Sequence, residues 1–403
     1  MARPQDLLPD WLVNHHVSGG IAPPEHIHLC AWDDKFTPSG CDERPGKIVC
    51  NFPRDHAGAL AIIDDAISEE TASQLYKSAV KATVWGVYVP ISDLFPKRVQ
   101  KEGPTIKLDE LKDPVAFRQA LARRAVQEFL IEKDDGQTIS QNDWNMTHGV
   151  AVWVIASDCD DATAYHLDYA EQVRYETNVI FPPIYGATLH VSPFYDASET
   201  DAASLGREMS AMQGGALYVN SIGLGHYAMY GYKTRKHVHR LSTDELEMQS
   251  NTEAGWRRVS YRYRRGILCD GEFPHFSGRV RKLPTEGTFL LESGYHYPVK
   301  RVVVGFNLFP SEIGACVARF PEHSNAFNRY VKLMQAAVKQ TTFPSTPSAA
   351  SVNGNWTLES VRANPKQAAF LKLLARKVRK SQIQKAADQD SKQKVPSQQG
   401  LGM

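Results

Sequence analysis

The chain has 403 residues, of which 42% are hydrophobic, and its formal net charge is +1. This length and composition allow a large core, and the near-zero charge excludes an overall field that would attract nucleic acid or membranes. No apolar run approaches the roughly 20 residues that cross a bilayer, so the sequence predicts a soluble protein.

The cysteines and the N-terminus predict an intracellular, cytoplasmic protein. The first residues lack the apolar segment of a signal peptide, and no two cysteines form a CxxC pair. We therefore expect free thiols in a reducing compartment. The cysteines are Cys30, Cys41, Cys50, Cys159, Cys269 and Cys316.

Residues 1–58 are rich in Pro, Gly, His and Asp and have little periodicity, which predicts an extended arm around the following domain. His26 and His28 have the spacing of a ligand pair on a strand. The neighbouring Pro23 and Pro24 indicate a loop instead, so we favour a solvated segment over a metal site.

Residues 59–310 are expected to form the main domain, with a strand at 60–63 and two helices before the core. Ser68 is a predicted N-cap, and Glu69 with Glu70 gives an acidic first turn. Asp113 is a second predicted cap, followed by Pro114 at the first helical position. The arginines of this second helix are interpreted as a solvated face; they are Arg118, Arg123 and Arg124.

Core strands are predicted from about residue 145 to residue 310. The run 148–156 is apolar enough for a buried strand, and residues 171–195 and 212–220 are predicted to add further strands. The run 255–266 interleaves arginines with aromatic residues. The alternation of arginines with apolar and aromatic residues favours a strand over a nucleic-acid surface. If the arginines have a function, we expect it to be the binding of an anionic substrate. Short strands with frequent turns indicate a sandwich or a barrel.

The C-terminal part is expected to be helical at 311–380, with a Ser/Pro/Gly linker at 345–355. The tail at 381–403 is rich in Gln, Lys, Ser and Asp, so we expect it to be disordered.

His166 and Asp168 are the most informative pair of residues. On a strand, residues i and i+2 share a face, so an imidazole and a carboxylate there can reach one metal ion. A second imidazole would complete the facial triad of non-haem Fe(II) oxygenases, which leaves three coordination positions open. We expect it from His275, which follows a glycine-led apolar strand starting at Gly266. The less favoured alternatives are His226, His237 and His239.

With these motifs, residues 145–310 resemble the Fe(II)/2-oxoglutarate-dependent dioxygenases of the prolyl-hydroxylase-like and phytanoyl types. The family has His-x-Asp, then a distal His after a glycine-led strand, then an Arg opening the last core strand. The resemblance implies an α+β, β-rich fold, with a jelly-roll, cupin-like double-stranded β-helix core between N- and C-terminal helices. It also implies Fe(II) on His166, Asp168 and His275, with 2-oxoglutarate held by Arg301.

The segment between His275 and Arg301 is longer than in most members of the family, which predicts an insertion at 281–298. Arg279 and Arg281 are therefore alternative partners for 2-oxoglutarate. By the same resemblance, Tyr175 and Asn178 lie where a wall of the substrate or co-substrate pocket is expected. Packing in the core is an equal alternative for both.

The implied activity is oxidation of a C–H bond, usually hydroxylation, with 2-oxoglutarate and O₂ as co-substrates and succinate and CO₂ as products. A small molecule is the preferred substrate over a protein, and the sequence fixes neither its identity nor the oligomeric state. Two other functions remain open. A metal-dependent hydrolase would use the same His/Asp/His set without needing Arg301, and a cupin-like binding protein would not need intact metal ligands.

Overall fold

The computed structural model describes residues 4–32, 46–82, 84–95, 108, 111–198, 210–230, 241–284 and 299–329. All of them belong to one compact unit, Met1–Thr342. Residues 285–298 of the insertion predicted at 281–298 lie outside the described residues. So do His237, His239 and the predicted linker, last helix and tail.

Local signals set the helix ends where the sequence indicates them. The Ser68 hydroxyl accepts a hydrogen bond from the Thr71 amide at 3.2 Å, and the Asp113 carboxylate accepts from the amides of Val115 and Ala116. Both predicted caps are confirmed. The α-helices of the described residues are α1 Asp10–Val13, α2 Glu69–Ala82, α3 Ile91–Leu94, α4 Pro114–Val126, α5 Gln141–Met146, α6 Glu171–Thr177, α7 Leu224–Tyr230, α8 Thr243–Gln249 and α9 Ser311–Arg319.

Most of the strands are short, and a π-helical turn, Gln127–Lys133, extends α4. The strands are β1 His28–Trp32, β2 Gly46–Cys50, β3 Leu60–Ile63, β4 Val84–Pro90, β5 Thr147–Ser157, β6 Thr163–His166, β7 Val179–Ile180, β8 Tyr185–His190, β9 Phe194–Asp196, β10 Ser210–Gly214, β11 Leu217–Asn220, β12 Trp256–Val259, β13 Gly266–Asp270, β14 His275–Ser277, β15 Val280–Lys282 and β16 Arg301–Pro310.

The largest sheet is antiparallel, with the order β3-β13-β8-β16-β5-β4. Alternation along β16 gives its two faces different roles. Val302, Val304, Phe306 and Leu308 pack into the main core with residues of α2 and α4. The other face carries Arg301, Val303, Gly305 and Asn307 and is available to a site.

A smaller antiparallel sheet, β12-β11-β14-β6, faces the large one. Leu217 and Val219 of β11 pack with Ile267 and Cys269 of β13 in one apolar cluster, so the two sheets share an interior. The coarse prediction is confirmed: the described residues form antiparallel sheets flanked by helices. They contain no closed barrel.

The N-terminal segment has more regular structure than the predicted extended arm. β1 and β2 pair antiparallel, and β2 also pairs with β7. Cys30 and Cys50 form a disulfide between β1 and β2, so the expectation of free thiols is wrong for these two residues. Antiparallel pairing brings residues distant in sequence side by side, which their spacing does not reveal.

Two predicted strands are also corrected. Residues 171–177 form α6, whose buried Val173 and Thr177 have the i, i+4 spacing of a helix face. The strand predicted at 255–266 ends at Val259. Arg264 has a positive φ of 60°, a left-handed conformation that interrupts alternation. Among the described residues, no helix has the length and apolar character required to cross a bilayer.

Candidate metal centre and anion pocket

The pairing of β6 and β14 brings two imidazoles together. His275 is the register partner of His166, and the centres of their rings lie 4.5 Å apart. Asp168 lies just beyond the end of β6. One carboxylate oxygen is 3.3 Å from His166 Nε2 and the other 3.9 Å from His275 Nε2. Among the described residues, this is the one group of His, Cys, Asp and Glu that could hold a metal ion.

Backbone carbonyls orient both imidazoles for metal binding. His166 Nδ1 donates to the Ala164 carbonyl at 2.8 Å, and His275 Nδ1 donates to the Phe273 carbonyl at 3.2 Å. A proton on Nδ1 leaves the Nε2 lone pair free, and both Nε2 atoms face the Asp168 carboxylate. The donor set therefore fits a divalent transition metal bound through nitrogen and carboxylate oxygen.

Asp168 is held in its ionised form. Burial alone would raise the pKa of Asp168, but the charge of His275, the hydrogen bond and charge of His166, and a hydrogen bond from Asn307 lower it to about 2. Asn307 is 3% exposed and lies on the inner face of β16. The large sheet thus supplies the group that fixes the carboxylate of the triad.

The two imidazoles have opposite pKa shifts. Burial would lower the pKa of His166, but the hydrogen bond and charge of Asp168 and the Ala164 carbonyl together raise it. Burial and the neighbouring His166 lower the pKa of His275. In the metal-free protein, His166 is therefore the ligand that takes up a proton first as the pH falls.

Arg301 is a buried cation beside the triad, at a position that we call the anion pocket. It opens β16, is 2% exposed and donates from Nη2 to the Ser277 hydroxyl at 3.0 Å. Ser277 and His275 share a face of β14, which at about 3.4 Å per residue places them about 7 Å apart along the strand. Within the described part of the chain, the buried Nε of Arg301 has no hydrogen-bond partner, and no carboxylate forms an ion pair with the guanidinium.

A glycine makes room for this guanidinium. Gly215 has a positive φ of 71°, and a Cβ there would lie 3.0 Å from Arg301 Nε and 3.1 Å from its Cδ. Burial lowers the pKa of Arg301. Because a buried cation without a counter-ion is costly, the pocket fits an anionic ligand.

The alternative arginines lie elsewhere. Arg279 forms an ion pair with Asp244 at 3.4 Å, and Arg281 forms one with Glu247 at 2.8 Å; both side chains are exposed. The two pairs line an open surface cavity of about 450 Å³ beside Tyr218, on the outer face of the smaller sheet. Neither arginine is part of the interior that holds Arg301.

Tyr175 and Asn178 are found on and beside α6 rather than on a strand. Asn178 is the C-cap, in a left-handed conformation with a φ of 57°, and burial raises the pKa of Tyr175. Their role in cofactor binding stays a prediction. His226 is 1% exposed and lies 2.7 Å from the Tyr165 hydroxyl, so it is engaged outside the triad.

Three residues near the triad were not predicted from the sequence. Asn307 and Ser277 carry a readable signal, because each shares a strand face with a predicted site residue, Arg301 and His275 respectively. For Glu322, the sequence contains no comparable signal. Its carboxylate accepts from the Glu171 amide at 3.2 Å, and burial together with the charges of Glu171 and Asp168 raises its pKa well above the usual range.

Gly86 allows the Glu322 segment to lie against β4. A Cβ on Gly86 would be only 1.8 Å from the Glu322 carbonyl oxygen. Gly86 pairs with Trp153 across β4 and β5, and the Trp153 ring in turn covers Gly305. These contacts border the inner face of the large sheet on the side of its edge strand.

No family model matches the chain, and no curated protein matches it. Among solved structures, it is similar to a prolyl-4-hydroxylase from Pseudomonas putida at 7% identity and a TM-score of 0.30, covering 62% of this chain and 84% of that one. It is also similar to HygX from Streptomyces hygroscopicus with iron bound, at 14% identity and a TM-score of 0.30, covering 64% and 83%.

A further structure of HygX, with nickel and 2-oxoglutarate bound, matches at 12% identity and a TM-score of 0.28, covering 64% of this chain and 84% of that one. The prolyl-4-hydroxylase is a protein of the prolyl-hydroxylase-like type that the sequence resembles. The functional conclusion depends on the residues of the site.

Proposed function

We propose that the chain is an Fe(II)- and 2-oxoglutarate-dependent oxygenase with a double-stranded β-helix core. The observation that carries this proposal is the position of the buried Arg301 guanidinium, bound to Ser277 on the same strand face as His275. His275 and Ser277 lie about 7 Å apart along β14, and Ser277 binds the uncompensated cation of Arg301, which opens β16. A metal ligand and a buried cation placed in this way suit a short dicarboxylic acid.

In this proposal, His166, Asp168 and His275 hold the iron through two Nε2 atoms and one carboxylate. Asn307 and the carbonyls of Ala164 and Phe273 keep these ligands oriented before the metal binds. Three protein ligands leave room for other ligands on the metal. When bound, iron with 2-oxoglutarate and O₂ supplies the oxidation of a C–H bond, with succinate and CO₂ as products.

Arg301 and its surroundings bind and orient the co-substrate. The guanidinium binds the distal carboxylate, and Ser277 fixes its direction. Because the pocket is buried, this charge-assisted contact forms away from water, where it is stronger than at the surface. Hydroxylation is the proposed outcome, and the preference for a small-molecule substrate stays a prediction.

The proposal is tested by anaerobic titration of the Fe(II)-loaded protein with 2-oxoglutarate, following the visible charge-transfer band of the chelate. We expect the band in the unmodified protein and its loss in His166→Ala. We expect Arg301→Leu to keep the iron but weaken 2-oxoglutarate binding by roughly tenfold or more, since it removes a charged hydrogen-bond partner.

Arg281→Leu is the matched control, because it removes an arginine that pairs with Glu247 at the surface. It should leave the titration unchanged. A band that persists in His166→Ala would overturn the metal assignment, and equal weakening in both arginine variants would overturn the anion pocket. A metal-dependent hydrolase would bind the metal without any response to 2-oxoglutarate.

A further inference from the structure

His190 is a buried histidine near the anion pocket with no assigned role. It ends β8 and is the register partner of Val303 on β16, so its side chain shares the inner face with Val303 and Arg301. It has no exposed surface. β8 and β16 are adjacent and antiparallel, which places His190 at the same end of the sheet as Arg301.

The hydrogen bonds of His190 define its tautomer. The Arg262 amide donates to His190 Nδ1 at 3.3 Å, so Nδ1 carries no proton and the hydrogen is on Nε2. Nε2 is buried and has no hydrogen-bond partner among the described residues. An orphaned buried donor is rare and costly in folded proteins, and a bound ligand can supply the missing acceptor.

Several contacts keep the ring neutral and in place. Burial and the charges of Arg301 and Arg265 lower the pKa of His190 well below its usual value. The ring stacks on Tyr261, with centroids 4.2 Å apart and planes 13° from parallel. Tyr261 is itself fixed, because its hydroxyl donates to the Val302 carbonyl at 2.8 Å and accepts from the Ser192 amide at 2.8 Å.

Tyr261 also links His190 to the anion pocket. The Arg301 guanidinium carbon lies 5.5 Å from the centre of the Tyr261 ring. Two fully buried donors, Arg301 Nε and His190 Nε2, thus lack acceptors around one aromatic side chain. A carboxylate has four lone-pair sites, so a single bound carboxylate has enough acceptor capacity for both donors.

We propose that His190 is a second binding residue for the co-substrate, donating its Nε2–H to the same distal carboxylate that Arg301 binds. This inference rests on the proposed function. A neutral donor adds a directional hydrogen bond without adding charge to the pocket. His190 with Arg301 therefore selects 2-oxo acids that carry a second carboxylate over those that end in a methyl group.

The test compares ligand binding in the metal-loaded protein without oxygen, by calorimetry with Mn(II) in place of iron. The ligands are 2-oxoglutarate and 2-oxopentanoate, which has the same chain length but no distal carboxylate. His190→Phe keeps an aromatic ring on Tyr261 and removes the donor. His190→Gln keeps an N–H donor at a similar distance from the backbone.

We expect His190→Phe to weaken 2-oxoglutarate binding on the order of tenfold or more, to leave 2-oxopentanoate binding unchanged, and to keep the metal stoichiometry. His190→Gln should recover most of the affinity. If His190→Phe does not bind metal, His190→Leu, which is smaller, replaces it in the same comparison.

Three outcomes would overturn the inference. Unchanged 2-oxoglutarate affinity in His190→Phe would mean that Nε2 donates to a buried water. Equal weakening of both ligands would mean that His190 only supports packing. Failure of the unmodified protein to bind 2-oxoglutarate would overturn the proposed function together with this inference, whereas the first two outcomes leave the proposed function intact.

Discussion

His166 and His275 are register partners on neighbouring antiparallel strands, and their ring centres lie 4.5 Å apart. Strand pairing, rather than a flexible loop, therefore sets the separation of the two imidazoles. Asp168 follows within two residues and is held by Asn307 from the opposite sheet. The site is thus preorganised by hydrogen bonds of both sheets, and a metal ion need not order these ligands on binding.

The first prediction concerns the pH dependence of metal binding. The contact with Asp168 raises the pKa of His166, whereas the pKa of His275 is lowered and that of Asp168 is about 2. Metal must displace a proton from His166 below its pKa, so affinity should fall about tenfold per pH unit there. The dependence of metal affinity on pH should become steeper only at lower pH, where His275 also becomes protonated.

The same shifts predict a stability effect in the metal-free protein. A raised folded pKa makes the His166 contribution fully present below the unfolded value of 6.5 and lost as the pH rises through the folded pKa. In metal-free Asp168→Asn, the hydrogen bond and charge of the Asp168 carboxylate are lost, so the pKa of His166 should fall. NMR titration of the histidine ring protons measures it, and an unchanged pKa would contradict the assigned cause.

The sequence predicted the triad because its signals are local. His-x-Asp and a glycine-led strand before His275 can be read without knowing how the strands pair. Arg301 opens β16 as the resemblance implies. The roles of Asn307 and Ser277 depend on which strands face each other, and that arrangement comes from long-range pairing that periodicity does not encode.

The second prediction concerns Asn307, whose side chain bonds to the carboxylate of Asp168. Asn307→Leu removes this bond while keeping a side chain of similar size on the inner face of β16. Loss of an outer partner of a metal ligand typically costs about 10- to 100-fold in affinity. Competition with a metal-binding dye should show that weakening without a change in stoichiometry, and retention of full affinity would argue against the role.

The third prediction concerns Gly215, which approaches Arg301 in a left-handed conformation. Gly215→Ala places a Cβ about 3.0 Å from Arg301 Nε and strains the backbone by about 1–2 kcal/mol. We expect weaker 2-oxoglutarate binding with metal binding retained, measured by the same anaerobic titration.

Gly136→Ala is the control for backbone strain alone. Gly136 has a φ of 73°, close to the 71° of Gly215, but open space surrounds the position of its Cβ. It should lower thermal stability to a similar degree and leave the 2-oxoglutarate affinity unchanged. If both variants weaken 2-oxoglutarate equally, contact with Arg301 is not the cause.

The N-terminal segment and residues 171–177 show what sequence reasoning could not supply. The β1–β2 pair and its disulfide are tertiary contacts between segments with weak periodicity. The segment 171–177 is so short that its sequence is compatible with both a helix and a strand. Tertiary context selects the helix, since Val173 of α6 and its N-cap residue Ala170 pack into the main core.

The final prediction concerns Arg54, which attaches the N-terminal segment to the large sheet. Its side chain is 2% exposed and forms ion pairs with Asp270 and Glu272, and it also donates to the Ile184 carbonyl at 2.9 Å. Arg54→Ala leaves the buried Asp270 and the partly buried Glu272 without their cation. Removal of one partner from a buried ion pair typically costs about 3–5 kcal/mol. We therefore expect a large loss in the free energy of unfolding.

Arg124→Ala is the matched comparison, since Arg124 also binds two carboxylates, Glu70 and Glu128, but is 34% exposed. Solvent screens such pairs, and the expected loss is about 1 kcal/mol or less. Urea unfolding of the two variants measures the difference directly. Equal losses would mean that burial does not govern the strength of the Arg54 network, and that the N-terminal segment is held mainly by its apolar contacts.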